Sequence, residues 1–212
     1  MDKVIIESDM MRICVINAPL VSSTPDNHIH VLNLLRLLEP HADEIFVITG
    51  NFPQDAVDGE KIHIKNIEHR SDSRWMLLRI PRFILMQLKI SYHLIKLAKK
   101  IDVVFFSIGA ALLTLPMMSA KLMRKRVIFI YPGVGVIKKV SDMAYEDKLW
   151  RLGGRMYSSI TAIMEGLNCS LADKVTVFSS NSAQSLAGRH GNKVSIASRF
   201  FVDDTRFKLR GM

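Results

Sequence analysis

Short runs of uninterrupted apolar residues alternate along this chain with longer stretches whose apolar positions recur at helical spacing. Arg12–Asn17 is β-rich and runs into Ala18-Pro19, which predicts a buried strand entering a loop. His28–Leu38 carries Ile29, Leu32, Leu35 and Leu38 on one helical face, and Pro40 stops it. Glu44–Thr49 reads as a second strand, Gly50–Gly59 as a loop, and the alternating Lys61–Ile67 as an edge strand. Arg74–Lys100 is helical in pattern, and Pro81 is expected to divide it. Further strands are predicted at Ile101–Ser107, Arg126–Tyr131, Lys174–Phe178 and Lys193–Ala197. Between them lie helices at Ala110–Met123, at Asp142–Ala172 with an interruption at Gly153-Gly154, and at Ala183–Arg189 with serine caps at Ser179–Ser182. Gly191 closes the last of these.

Strands that alternate with helices and are apolar throughout predict an α/β fold. The expected form is a Rossmann-like, doubly wound, mostly parallel sheet with helices on both faces. In such folds ligands lie beyond the carboxyl ends of the strands. The loops after Asn17, Ser107, Tyr131 and Phe178 are therefore the places for a site.

Composition narrows the class. The 212 residues are 49% hydrophobic and 23% charged, enough for a substantial core and against disorder. Cys14 and Cys169 belong to no metal-type cluster and read as small buried hydrophobes, as a reducing cytosol allows. No metal site is expected. The first ten residues carry no secretory signal, and no apolar run is long enough to span a bilayer. A net charge of +9 either serves solubility or favours anionic partners. Nucleic acid ranks low among these, because aromatic residues are 8% of the chain and no recognition motif is present.

The basic residues concentrate in one apolar segment. Arg74, Trp75, Arg79, Arg82, Phe83 and Lys89 fall in a stretch denser in apolar residues than one buried stripe needs. They are expected to contact an anionic membrane surface from the cytoplasmic side, as a peripheral attachment. The other reading is a core-covering helix with a solvated basic face.

The candidate binding residues lie in the strand-end loops. Asp26 and Asn27 either cap the first helix or let its amide groups hold an anion, and His28 adds a titratable group. Ser107 and Gly109 follow one strand, and Gly133 and Gly135 follow the next, where glycine permits a tight turn or close backbone approach to a ligand. The first strand is followed by no GxGxxG loop, and neither a Walker lysine motif nor a GxSxG elbow occurs. A nicotinamide, flavin or nucleoside-triphosphate enzyme is thereby disfavoured.

One longer passage adds a family. Glu165–Ser180, with Ala172, Asp173, Val175, Val177 and Ser179, resembles a helix–strand–helix passage of family 4 glycosyltransferases. Lys193–Ile196 followed by Val202, Asp203, Arg206 and Phe207 is similar to the family's next strand and turn, and His30–Leu34 to its first helix. The chain departs from the family pattern at Asp26-Asn27, Ser107, Pro132-Gly133 and Ser198-Arg199-Phe200. The resemblance implies the N-terminal, acceptor-side domain of a GT-B glycosyltransferase over residues 12–200, after an extension at 1–11. Residues 201–212 would begin the inter-domain linker, with the C-terminal donor domain absent from the sequence.

The activity it implies is sugar transfer from a nucleotide-sugar to an acceptor, lipid-linked if the basic segment meets a membrane. Asp26, Asn27, His28, Ser107, Gly109, Gly133 and Gly135 would line the acceptor cleft. No cofactor is expected to bind tightly, and the nucleotide-sugar would sit in a separate domain or subunit. The alternatives are a non-catalytic subunit that recruits a donor-binding chain to a membrane, and a truncated remnant.

Overall fold

Parallel strands cannot be joined by tight hairpins, so each apolar run must be followed by a crossover that packs back on the sheet. The computed structural model describes residues 11–18, 25–52, 57, 59–67, 76–107, 110–131 and 148–197. Within them lie strands β1 (Met11–Ile16), β2 (Ala42–Thr49), β3 (Ile62–Asn66), β4 (Val103–Phe106), β5 (Arg126–Ile130), β6 (Lys174–Val177) and β7 (Val194–Ile196). The helices are α1 (Pro25–Leu38), α2 (Met76–Leu97), α3 (Thr114–Leu122), α4 (Lys148–Leu171) and α5 (Ser180–His190). The strands form one sheet in the order β3-β2-β1-β4-β5-β6-β7, and every pairing is parallel. The expected Rossmann-like, doubly wound fold is therefore observed.

Right-handed crossovers account for the layering. From β1 to β2 the chain moves one way across the sheet, and α1 covers that face. From β3 it returns past β1 to β4 and continues the other way, which carries the later helices to the opposite face. The buried residues divide accordingly. Ile13, Val15, Ile45 and Val47 pack with Val31, Leu34 and Leu35 of α1. Cys14, Ile16, Phe46, Ile48, Val104, Phe106, Val127 and Phe129 pack with Met86, Ile90 and Leu94 of α2, Met117 and Ala120 of α3, and Cys169 of α4. Alternate residues of one strand thus serve two cores.

Several element boundaries differ from expectation. Helix α2 runs unbroken through Pro81. Proline removes one amide and leaves the carbonyl four residues earlier without its donor. Pro81 is exposed and near the helix start, where water can serve that carbonyl, and the buried Met86, Ile90 and Leu94 hold the helix beyond it. Helix α4 likewise continues through Gly153-Gly154. The glycines cost about 1 kcal/mol each, and the packed turns from Thr161 to Cys169 outweigh them. The expected Ala110–Met123 helix splits into a 3-10 turn at Ala110–Leu112 and α3, with Leu113 between them at φ −88° and ψ 57°. Buried Gln87 of α2 compensates there: its Oε1 accepts the Leu115 amide at 3.0 Å, a duty no side chain of the Leu113 cap performs. The first helix starts at Pro25, ahead of the expected His28, so Asp26 and Asn27 stand inside its first turn.

Two aspartates clamp the amino ends of the strands. Asp102 precedes β4 and takes the Arg12 backbone amide at 3.1 Å and its guanidinium at 3.1 and 3.2 Å. Asp173 precedes β6 and takes the Val127 amide at 2.8 Å and the Lys121 ammonium at 2.7 Å. The two carboxyls are held below the ordinary carboxylate value. For Asp102 the Arg12 hydrogen bond is the main cause; for Asp173 burial opposes the shift, and the bonds from Lys121 and Val127 together outweigh it.

Candidate functional site

The order of strands reverses between β1 and β4, so the crevice of a doubly wound sheet opens at their carboxyl ends. The ladder there extends one residue past the strands. The Asn17 amide donates to the Ile48 carbonyl at 3.0 Å, and the Ser107 amide to the Ile16 carbonyl at 2.8 Å. The Thr49 carbonyl accepts the Ile67 amide at 2.6 Å. These bonds set Asn17, Thr49 and Ser107 in a row, and all three are buried. The alternation that puts Ile13, Val15, Ile45 and Val47 on the α1 face carries Asn17 and Thr49 to the same side. Asn17 Oδ1 and Thr49 Oγ1 have no hydrogen-bond partner among the described residues. An unpartnered buried polar group costs about 1–3 kcal/mol, so such groups reward a polar ligand. Helix α1 starts on this face, and its first amides and positive dipole end favour an anionic group.

A second polar group lies across the sheet. Thr161, Glu165, Asn168 and Cys169 occupy the buried side of α4 at helical spacing. Helix α4 packs on α3, on β5 and on the Ala110–Leu112 turn that follows Ser107. Glu165 is 8% exposed, and neither its Oε1 nor Thr161 Oγ1 has a hydrogen-bond partner among the described residues. Burial pushes the Glu165 carboxyl up to about 7. Tyr131, the residue after β5, is pushed up to about 12, first by burial and then by the nearby Glu165 charge. A carboxyl that titrates near neutrality can give or take a proton at a hydroxyl, and a neutral phenol donates a hydrogen bond throughout the physiological range.

The predicted residues are placed as follows. Ser107 stands in the row at the reversal point. Asp26, Asn27 and His28 fall in the first turn of α1, with side chains outside the described residues. Gly109, Gly133 and Gly135 lie outside the described residues, as do Arg74 and Trp75. Arg79 belongs to α2, and its side chain is likewise not described. Arg82 and Lys89 are exposed on α2, whereas Phe83 packs against the core that α2 shares with the sheet.

Sequence reasoning passed over Asn17, Thr49, Tyr131, Thr161 and Glu165 as site residues. The signal available was polarity where burial is due: a carboxylate on the face of α4 shared by Thr161 and Cys169, and polar residues directly after apolar strands. Residues that carried the family resemblance have structural duties. Asp173 clamps β5, and Ser179 caps α5 by accepting the Ser182 amide at 3.2 Å.

No protein-family model matches the sequence, and no curated protein matches it significantly. Solved structures do share its fold. UDP-GlcNAc 2-epimerase from Methanocaldococcus jannaschii is 16% identical with a TM-score of 0.51, over 88% of this chain and 45% of that one. Arabidopsis thaliana UGT89C1 complexed with UDP-L-rhamnose is 10% identical with a TM-score of 0.54, over 92% and 54%. Glycyrrhiza uralensis UGT73P12 complexed with glycyrrhetinic acid 3-O-monoglucuronide is 9% identical with a TM-score of 0.60, over 90% and 49%. At these identities the likeness is one of fold, that of a GT-B-like Rossmann domain. The chain spans about half the length of the structures it matches.

Proposed function

We propose that this chain is the acceptor-binding half of a GT-B glycosyltransferase similar to family 4, acting with a donor-binding domain or subunit. Transfer would run from a nucleotide-sugar held by that other part to an acceptor at the carboxyl ends of β1, β4 and β5. One observation carries the reading. At the point where the strand order reverses, Asn17, Thr49 and Ser107 are buried side by side, and two of their side-chain oxygens have no partner among the described residues. An acceptor hydroxyl or phosphate is a group that such oxygens and the first amides of α1 suit. Asp26, Asn27, His28, Gly109, Gly133 and Gly135 belong to the same loops and are proposed to complete the lining. Glu165 is proposed as the titratable group on the β5 side.

The test is backbone-amide NMR of the whole chain, titrated with a short-chain polyprenyl-linked sugar and separately with UDP. The expected result is saturable shifts at Asn17, Thr49 and Ser107 with the lipid-linked sugar and none with UDP. Shifts of those amides with UDP alone would overturn the acceptor assignment. Silence with both would overturn the lipid-linked form of it.

A further inference from the structure

We infer that the outer surface of α2, α3 and α4 docks on an anionic lipid bilayer. This surface is distinct from the strand-end site and does not depend on the sugar-transfer reading.

Helix α2 is apolar on two opposite sides. Its inner side, with Met86, Ile90 and Leu94, fills the core. Its outer side carries Leu85, Leu88, Tyr92 and Ile95 at successive helical turns, each more than half exposed. A helix apolar all round is ordinarily covered all round. The surface also extends beyond α2. Helix α3 packs against α2 and in turn against α4, so the three lie side by side over one face of the sheet. On α3, Leu122 is 82% exposed, and on α4, Ile163 is 63% exposed.

Charge selects the occupant. Arg82, Lys89 and Lys96 recur every seventh residue and form an exposed row alongside the apolar stripe of α2, with Lys99 and Lys100 after its end. Lys96 also lies 4.5 Å from the centre of the Tyr92 ring. The sequences of α2, α3 and α4 contain one carboxylate between them, and it is the buried Glu165. A second copy docked face to face would set cations against cations with no surface acid on these helices to pair with. An anionic lipid surface answers both features: acyl chains take the apolar stripe, and headgroups take the ammonium and guanidinium groups. No helix among the described residues is long and apolar enough to cross a membrane, so the contact lies along the surface.

The experiment is co-sedimentation of the whole chain with vesicles of phosphatidylcholine alone and of phosphatidylcholine with phosphatidylserine in a two-to-one ratio. Two variants accompany the parent: Arg82→Glu/Lys89→Glu/Lys96→Glu and Leu88→Gln/Leu122→Gln. All five side chains are exposed, so both variants should unfold at the parent's temperature, which is measured beside the binding. Binding to the anionic vesicles that weakens with salt is expected. Each cation lost costs roughly a factor of five, so the charge-reversal variant should lose at least about 100-fold in partitioning, and the apolar variant should lose most of its binding as well. Parent protein that ignores anionic vesicles at low salt would overturn the inference. So would equal binding by the folded charge variant, or a parent dimer that Leu88→Gln/Leu122→Gln dissociates while vesicles capture nothing.

Discussion

Replacing Glu165 by glutamine should leave the protein about as stable as the parent in acid and make it more stable in mild alkali. Burial pushes this carboxyl up to about 7 from an ordinary 4.5. In the unfolded chain it ionises near its ordinary value, while the native site retains the proton until about 7. The unfolded state therefore binds fewer protons between these values, and stability falls as pH rises through them. The contribution is whole below the ordinary carboxylate value, declines across the window and is lost above about 7. The interval corresponds to about 3 kcal/mol, a large share of the roughly 5–15 kcal/mol that holds a typical domain together. Glutamine keeps the shape and hydrogen-bonding capacity but has no proton to lose. The assay is urea unfolding of parent and Glu165→Gln at about pH 4 and about pH 8, with m-values compared to keep the extrapolations commensurate. The parent should lose about 3 kcal/mol relative to the variant over that span. Parallel stability profiles would refute the reasoning. A parent that gains on the variant as pH rises would refute it more sharply, because Glu165 would then be an ionised, paired group in the native state.

Two further predictions concern helix ends. Gln87→Leu removes the side-chain acceptor for the Leu115 amide at the start of α3 and should cost about 1 kcal/mol, read as a lower urea midpoint at unchanged m; an unchanged midpoint would mean that the amide finds another acceptor. Arg124 sits at φ 56° just past α3, where its amide bonds to the Lys121 carbonyl at 2.9 Å and the Lys125 amide to the Ala120 carbonyl at 3.0 Å, the paired bonds of a Schellman cap. Arg124→Gly relieves the left-handed strain against a smaller entropic loss and should raise stability by about 0.5–1 kcal/mol, measured by thermal unfolding; a lower melting temperature would refute it.

Much of the sheet was legible because a strand covered on both faces must be apolar at nearly every position. Val104, Phe106, Val127 and Phe129 are all buried, whereas the edge strand β3 alternates, with His63 and Lys65 exposed and Ile62 and Ile64 half-buried. Helix interruptions were misread for a complementary reason. Pro81 and Gly153-Gly154 are local signals, and the energies that keep α2 and α4 continuous come from packing against β-strands distant in sequence. Ser107 could be picked out because a topological rule points to the residue after a strand. Glu165 could not, since a carboxylate on a helix reads as a solvated one until its neighbours are known. Packing of α3, β5 and the Ala110–Leu112 turn against α4, with Tyr131 nearby, turns that face inward.

The two proposals constrain each other through the direction of the helices. Each helix runs opposite to the strands it connects, so α2 starts at the carboxyl edge of the sheet and ends at the amino edge. Its 22 residues span about 33 Å, more than the length of the strands beside it. A bilayer lying along the outer side of α2 would therefore pass close to the strand-end crevice. Helix α4 has Glu165 facing the core and Ile163 and Leu167 facing outward within one turn of it. An acceptor suited to this arrangement carries its polar head at Asn17 and Ser107 and leaves its chain in the lipid. A wholly water-soluble acceptor would make no use of the outer surface. Loss of vesicle binding in the charge variant together with weakened shifts at Asn17 and Ser107 would tie the surfaces into one site. Vesicle binding lost while those shifts persist would separate anchoring from acceptor recognition.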